Sequence, residues 1–224
     1  MKHGIKILYL VLAVLIIAAL WPQSVDHNNS KAGWDVQIND AGQLQVQGIT
    51  LEVTTLNEAE NILKSRSIRA LFIEAAKEDE VKDPIIEAFF SNLPDNSKLV
   101  LGLNATKEQL DTISTKVHRP VAFPSGNIKL EIADDHMPLV DGMTVNSISM
   151  IPRIKIKPQD IIDQFGEPQQ IINDDKALHH LYPKIGLDAI LAPSGEAILQ
   201  FVAPDQFHRV LDKLTMEPQT TPDR

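Results

Sequence analysis

Residues 158–202 read PQDIIDQFGEPQQIINDDKALHHLYPKIGLDAILAPSGEAILQFV. Two hydrophobic periods follow one another here. Ile161, Ile162 and Phe165 recur at helical spacing behind Lys157-Pro158, and proline is well tolerated in a first helical turn. Gly166 ends that helix, and Pro168 prevents its continuation. Strand-forming segments follow at 170–172, 178–182, 187–191 and 197–202. They are separated by turn residues at Asn173-Asp174-Asp175, 183–186 and Pro193-Ser194-Gly195. The stretch predicts a helix packed on an antiparallel meander. Phe165 is expected to be buried where the two meet, and Gly166 to take a positive φ. A short helix over 207–214 and a disordered tail at 215–224 complete this side.

Working outward toward the amino terminus, residues 145–156 read as extended, with an interruption at Pro152. Residues 133–142 (ADDHMPLVDG) are polar and loop-like, and mark a candidate boundary between two domains, 33–140 and 141–214. Before it, strand and helix patterns alternate three times over 44–117. Thr55 with Glu58 and Thr106 with Gln109 fit capping boxes, each ahead of an apolar helical face. Leu56, Ala59, Ile62 and Leu63 form the first face; Leu110, Ile113 and Val117 form that of the later helix. A helix between them is expected over 84–93, with Ile85, Ile86, Phe89 and Phe90 inward. Short buried strands are expected at 68–73, 99–103 and 128–132, and extended chain at 120–123. Trp34, Val36 and Ile38, the turn Asn39-Asp40-Ala41-Gly42, and Leu44 and Val46 read as a half-buried hairpin. Residues 49–53 continue in extended form. The fold class is α+β: a strand–helix alternating domain, with some parallel pairing expected, followed by the helix-plus-meander domain. Residues 48–53 and 147–151 echo one another, since each leads into a helix.

Residues 158–168 (PQDIIDQFGEP), with the meander that closes on Ile198-Leu199-Gln200-Phe201-Val202, resemble the small envelope domain of the BamE/SmpA type. Such domains run from helix through a Gly-x-Pro exit to a meander with an aromatic in an early strand, the place of Tyr182 here. The resemblance covers about residues 145–203. The chain departs from it in having no lipobox cysteine and one clear helix where a pair is usual. What it implies is a fold; it does not carry a function across.

At the amino terminus, Lys2, His3 and Lys6 precede an unbroken apolar run at 7–21. Extended to Ile5, with Lys6 snorkelling, the segment meets the lower limit of roughly 17–25 residues for a membrane-spanning helix. Trp21 suits an interfacial anchor, Pro22 ends the run, and isoleucines occupy the positions where a cleavage site needs small residues. The expectation is a single-pass inner-membrane protein that meets the bilayer through residues 5–21. Its amino terminus is cytoplasmic, residues 22–32 are a tether, and the bulk is periplasmic. A cleaved signal that leaves a soluble periplasmic protein is the alternative.

The net charge of −9 argues against nucleic acid, whose binding rests on basic patches. Absence of cysteine excludes disulfides, thiolate metal sites and a cysteine nucleophile. Asp134-Asp135-His136 with Asp141 has ligand types suited to a divalent metal but not the spacing of a calcium loop, and reads as a solvated linker. His179-His180, adjacent on a strand, face opposite sides; one is expected buried and one exposed. Asp160 and Asp163 suit the start of a helix. Nucleophile-elbow, Ser-x-x-Lys, zinc-protease and phosphate-loop motifs are absent. No catalytic, cofactor-binding or metal residues are assigned. The function expected is a binding or assembly module of the cell envelope, with an envelope protein as partner. The alternatives are an envelope enzyme or accessory subunit, with His136 and His179 or His180 converging in a cleft, and a soluble periplasmic binding protein.

Overall fold

The computed structural model describes residues 34–73, 84–91, 93–123, 127–174 and 176–216. The expected anchor and tether, residues 75–82 (AAKEDEVK) and residues 217–224 of the expected tail lie outside them, while Thr215 and Met216 belong to the last helix and not to a disordered tail. The hairpin forms as its turn chemistry dictates. β1 (Val36–Ile38) pairs antiparallel with β2 (Leu44–Val46), and the Asn39 carboxamide oxygen accepts the N–H groups of Ala41 and Gln43 at 3.0 and 2.9 Å. β3 (Ile49–Thr50) completes a three-stranded sheet. The capping box at Thr55 opens α1 (Leu56–Leu63): Thr55 N–H donates to the Glu58 carboxylate at 2.8 Å, and Glu58 N–H donates to the Thr55 hydroxyl at 3.3 Å.

The chain then builds β4 (Ile68–Ile73), β5 (Ile85–Phe90) and β6 (Lys98–Leu103). The second capping box opens α2 (Lys107–Ser114), which leads to β7 (Val117–Ala122) and β8 (Ile128–Ile132). A 3₁₀ turn at Asp134–His136 runs into α3 (Met137–Asp141), and β9 (Val145–Ile151) follows. Then come α4 (Pro158–Phe165), the meander β10 (Gln170–Asn173), β11 (Leu178–Tyr182), β12 (Leu187–Leu191) and β13 (Ala197–Val202), and α5 (His208–Met216).

Ten of these strands form one sheet in the order β10-β11-β12-β13-β9-β6-β5-β4-β8-β7. Every described pairing is antiparallel, which corrects the expected parallel pairing and leaves an α+β fold of antiparallel sheets with short helices. β9 lies between β6 and β13, so strands from both sides of 133–142 share this sheet. The echoed segments differ in setting: Ile49–Thr50 belongs to the small sheet and Val145–Ile151 to the middle of the large one.

One face of the large sheet carries the main core. Leu71, Ile86, Phe90, Leu99, Leu101, Ile148, Leu199 and Phe201 meet Leu44, Val46 and Ile49 of the small sheet. Leu56 and Ala59 of α1, Leu110 and Ile113 of α2, Val140 of α3 and Ile161 of α4 complete it. On the opposite face, Val210 of α5 packs with Leu181, Val202 and Phe207.

Three local expectations are corrected. Residues 84–93 form no helix; β5 runs between β4 and β6 with both faces buried, so its apolar residues lose the alternation that marks a half-buried strand. Residues 133–142 are helical and packed, not a solvated linker. Arg69 explains this: its guanidinium reaches Asp141 at 2.7 Å and the buried Glu60 at 2.8 Å, tying α3 to α1 and β4. Ile62 is 42% exposed and Val117 starts β7, so neither completes its expected helix face.

Candidate functional site

A half-open cleft of about 430 Å³ lies where the described chain begins. Leu99 and Met150, opposite each other in the β6–β9 ladder, contribute to its wall. Trp34, Leu63, Leu93 and Ile154 add apolar surface. The Trp34 indole stacks on Phe165 with centroids 5.7 Å apart and planes 2° from parallel. Phe165 meets Tyr182 at 5.9 Å, and the Tyr182 hydroxyl donates to the Gly166 carbonyl at 2.8 Å. The small sheet, the exit of α4 and the meander are therefore clamped together beside the cleft. Phe165 is half-buried in this stack, not fully buried as expected, while Gly166 does take a positive φ of 79°.

The polar groups of the cleft have distinct roles. Asp95 accepts from the N–H and hydroxyl of Ser97 at 2.9 and 2.7 Å, which fixes the turn between β5 and β6. Arg153 is exposed and has no ion-pair partner among the described residues. The Ser97 hydroxyl is buried and donates to Asp95 within the turn, and among the described residues no histidine lines the cleft. Its chemistry is that of binding an apolar group, with Arg153, Gln47 and Asp95 supplying polar contacts.

The second concentration of chemistry is buried. His179 and His180 point to opposite faces of β11, as adjacent strand residues must, but both are buried, which corrects the expectation of one exposed. His179 Nδ1 donates to the Asp188 carboxylate at 2.9 and 3.1 Å, and Nε2 lies 3.3 Å from Asp174. Asp174 also accepts the N–H groups of Lys176 and Ala177 at 2.8 and 2.6 Å. The network thus fastens the β10–β11 turn to β11 and β12. Burial opposes a charge on His179, but the Asp188 and Asp174 carboxylates outweigh it and raise its pKa. Burial pushes Asp188 up, and the hydrogen bond from His179 offsets part of that. His180 is lowered by burial, partly countered by Asp188 and Glu167, and its Nδ1 has no hydrogen-bond partner.

The remaining titratable residues singled out in the sequence are dispersed. Asp135 pairs with Lys116 at 2.5 Å and Asp141 with Arg69. His136 does not converge with His179 or His180 in the cleft. Among the described residues no group of three metal-ligating side chains is assembled. Asp160 caps α4 by accepting the Lys157 N–H at 2.7 Å, and Asp163 accepts from Gln159 at 2.8 Å. Sequence reasoning missed Asp188 and Arg153. A lone carboxylate inside Leu187-Asp188-Ala189-Ile190-Leu191 was a readable sign of a buried acid needing a partner. Arg153 carried no such sign.

Compared with known proteins, the chain matches no family model, no curated protein and no solved structure.

Proposed function

We propose that this chain is a single-pass inner-membrane protein whose periplasmic α+β part serves as a binding or assembly module of the cell envelope, without catalytic activity of its own. The observation that carries the binding role is the cleft beside Trp34: about 430 Å³ and apolar over most of its wall. Its place supports the same reading. Trp34 begins the described chain, and residues 22–32 separate it from the apolar run at 7–21, so the cleft belongs to the part nearest the expected anchor. The positive residues before that run favour a cytoplasmic amino terminus. The order of helix then meander over 158–202 is compatible with a BamE/SmpA-type envelope domain. The partner of the cleft is a protein segment with an apolar anchor, because wall residues from the small sheet, α1 and the β5–β6 turn leave it open to a side chain entering from outside.

Two measurements test this. A reporter active only in the periplasm, fused after Arg224, should be active; activity of a cytoplasm-only reporter there would sink the topology. A photo-crosslinking residue at Ile62, on the cleft rim, should capture one envelope protein in intact membranes, and the same residue at Glu196 should not. Loss of that capture on Leu63→Asp, with the melting midpoint unchanged, assigns it to the cleft. Equal capture from both positions would refute the binding role.

A further inference from the structure

The ten-stranded sheet ends differently at its two edges. On β7, Pro120 has no N–H, Arg119 sits at a φ of 47°, and the register with β8 breaks between His118 and Val121. These are features that keep an edge strand from pairing with another chain. Within Gln170–Asn173, β10 has no proline and no positive φ; such features stand only at its head, where Pro168 precedes it and Gln169 N–H, beside the Gln170/Leu181 pair, donates to the Leu181 carbonyl at 2.9 Å. Residues 168–173 read PQQIIN, without a charged side chain, in a chain of net charge −9. Among the described residues β10 pairs with β11 alone, in unbroken register over Gln170–Asn173, and Ile171 is 53% exposed.

The ladder also shows which backbone groups are free. Asp174 N–H donates to the Ala177 carbonyl at 3.1 Å. Bonded and non-bonded pairs alternate along an antiparallel ladder, so the bonded pairs fall at Asp174/Ala177, Ile172/His179 and Gln170/Leu181. Ile171, opposite His180, occupies a non-bonded position, and its N–H and carbonyl point to the open edge. The exposed apolar side chain and the outward backbone groups belong to one residue.

We propose that two copies of this chain join through β10, antiparallel about a two-fold axis at Ile171. An axis normal to the sheet pairs residues of like face, so Ile171 meets Ile171 and Gln170 meets Ile172. Each Ile171 N–H then donates to the carbonyl of the other. Two copies of the same negative charge approach best where charge is absent; PQQIIN carries no charge at the centre of the contact, and the acidic Glu167 and Asp174 flanking it keep the pairing short and weaken it at low salt. A foreign peptide added to an edge draws its specificity from side-chain pockets along that edge. The cleft lies elsewhere, lined by no β10 residue, whereas the self-pairing needs no pocket. A contact one strand wide is small, and the dimer is accordingly reversible. This inference does not rest on the envelope reading.

The chain has no cysteine, so Ile171→Cys introduces its only thiol. In the full-length protein in mild detergent, mild oxidation should give a disulfide-linked dimer about tenfold faster than for Val121→Cys on the opposite edge, because pairing raises the local thiol concentration. Val121 is 50% exposed, so the two thiols are similarly accessible. Sedimentation of the cysteine-free protein should show a concentration-dependent dimer that Ile171→Asp abolishes while leaving the melting midpoint in place. Equal crosslinking at 171 and 121, a chain that stays monomeric, or a dimer indifferent to Ile171→Asp would each overturn the proposal.

Discussion

His179 and His180 are neighbours in sequence and opposites in environment. His179 lies between two carboxylates and holds its proton more firmly than an ordinary histidine; His180 is buried with Nδ1 unpaired and holds its proton less firmly. The raised pKa of His179 means that its contribution to stability is complete below the ordinary value of 6.5 and is lost as pH rises through the folded value. The raised pKa of Asp188, caused by burial, acts in the same direction in its own range. The lowered pKa of His180 works the other way: the unfolded chain takes up a proton there first, so stability falls as pH drops below 6.5. His179 should therefore lower the melting midpoint as pH rises above 6.5, and His180 should lower it as pH falls below 6.5. Asp188→Asn should flatten the alkaline flank and His180→Gln the acid flank, measured by thermal melts across the range. A midpoint that climbs steadily above neutral pH in the wild type would contradict this assignment. The sequence announced the opposed faces of the two histidines. It did not announce that both are buried, because that depends on how β10 and β12 flank β11.

Among the elements, those with a local signal were legible. Each capping box opened its helix at the residue expected, and Gly166 ended α4 with a backbone conformation that side chains other than glycine rarely adopt. The meander strands fell where turn residues bounded them. β5 was misread because the spacing of Ile85, Ile86, Phe89 and Phe90 satisfies a helix, while its actual neighbours come from β4 and β6. Pairing on both edges and burial on both faces are tertiary facts that erase the period-two pattern. Gly186 was likewise unremarkable in sequence, yet a Cβ there would lie 1.9 Å from the Val202 carbonyl oxygen. If β5 is the inner strand that its register shows, Phe90→Ala should cost roughly 3–5 kcal/mol, since the ring is wholly buried. Denaturant titration should show a lower midpoint with little change in slope. A change below about 1 kcal/mol would place Phe90 at the surface.

At the scale of the whole molecule, β9 is the junction. It gives β6 its second neighbour and β13 its second neighbour. Backbone bonds add to the tie: Val145 N–H donates to the Thr54 carbonyl at 2.9 Å, and Leu56 N–H to the Met143 carbonyl at 2.9 Å. A chain ended after Gly142 should therefore leave Leu99-Val100-Leu101 on an open edge, and is expected in the insoluble fraction, while the intact chain is recovered folded. Soluble, cooperatively melting protein from the shortened chain would show that 33–140 stands alone. The cleft was beyond sequence reading for the same reason, since its walls come from residues more than a hundred positions apart, Trp34 and Ile154 among them. The junction also sets a timetable for synthesis. β6 is complete once Leu103 has been added, and its second partner begins only at Val145. At about 5–20 residues per second, the ribosome needs some seconds to supply the segment between them. Throughout that interval every nascent copy presents an apolar strand with one edge open, and neighbouring copies on one messenger present the same one. Crowding of translating ribosomes, more than the stability of the finished protein, should govern how much of this chain is lost to aggregates.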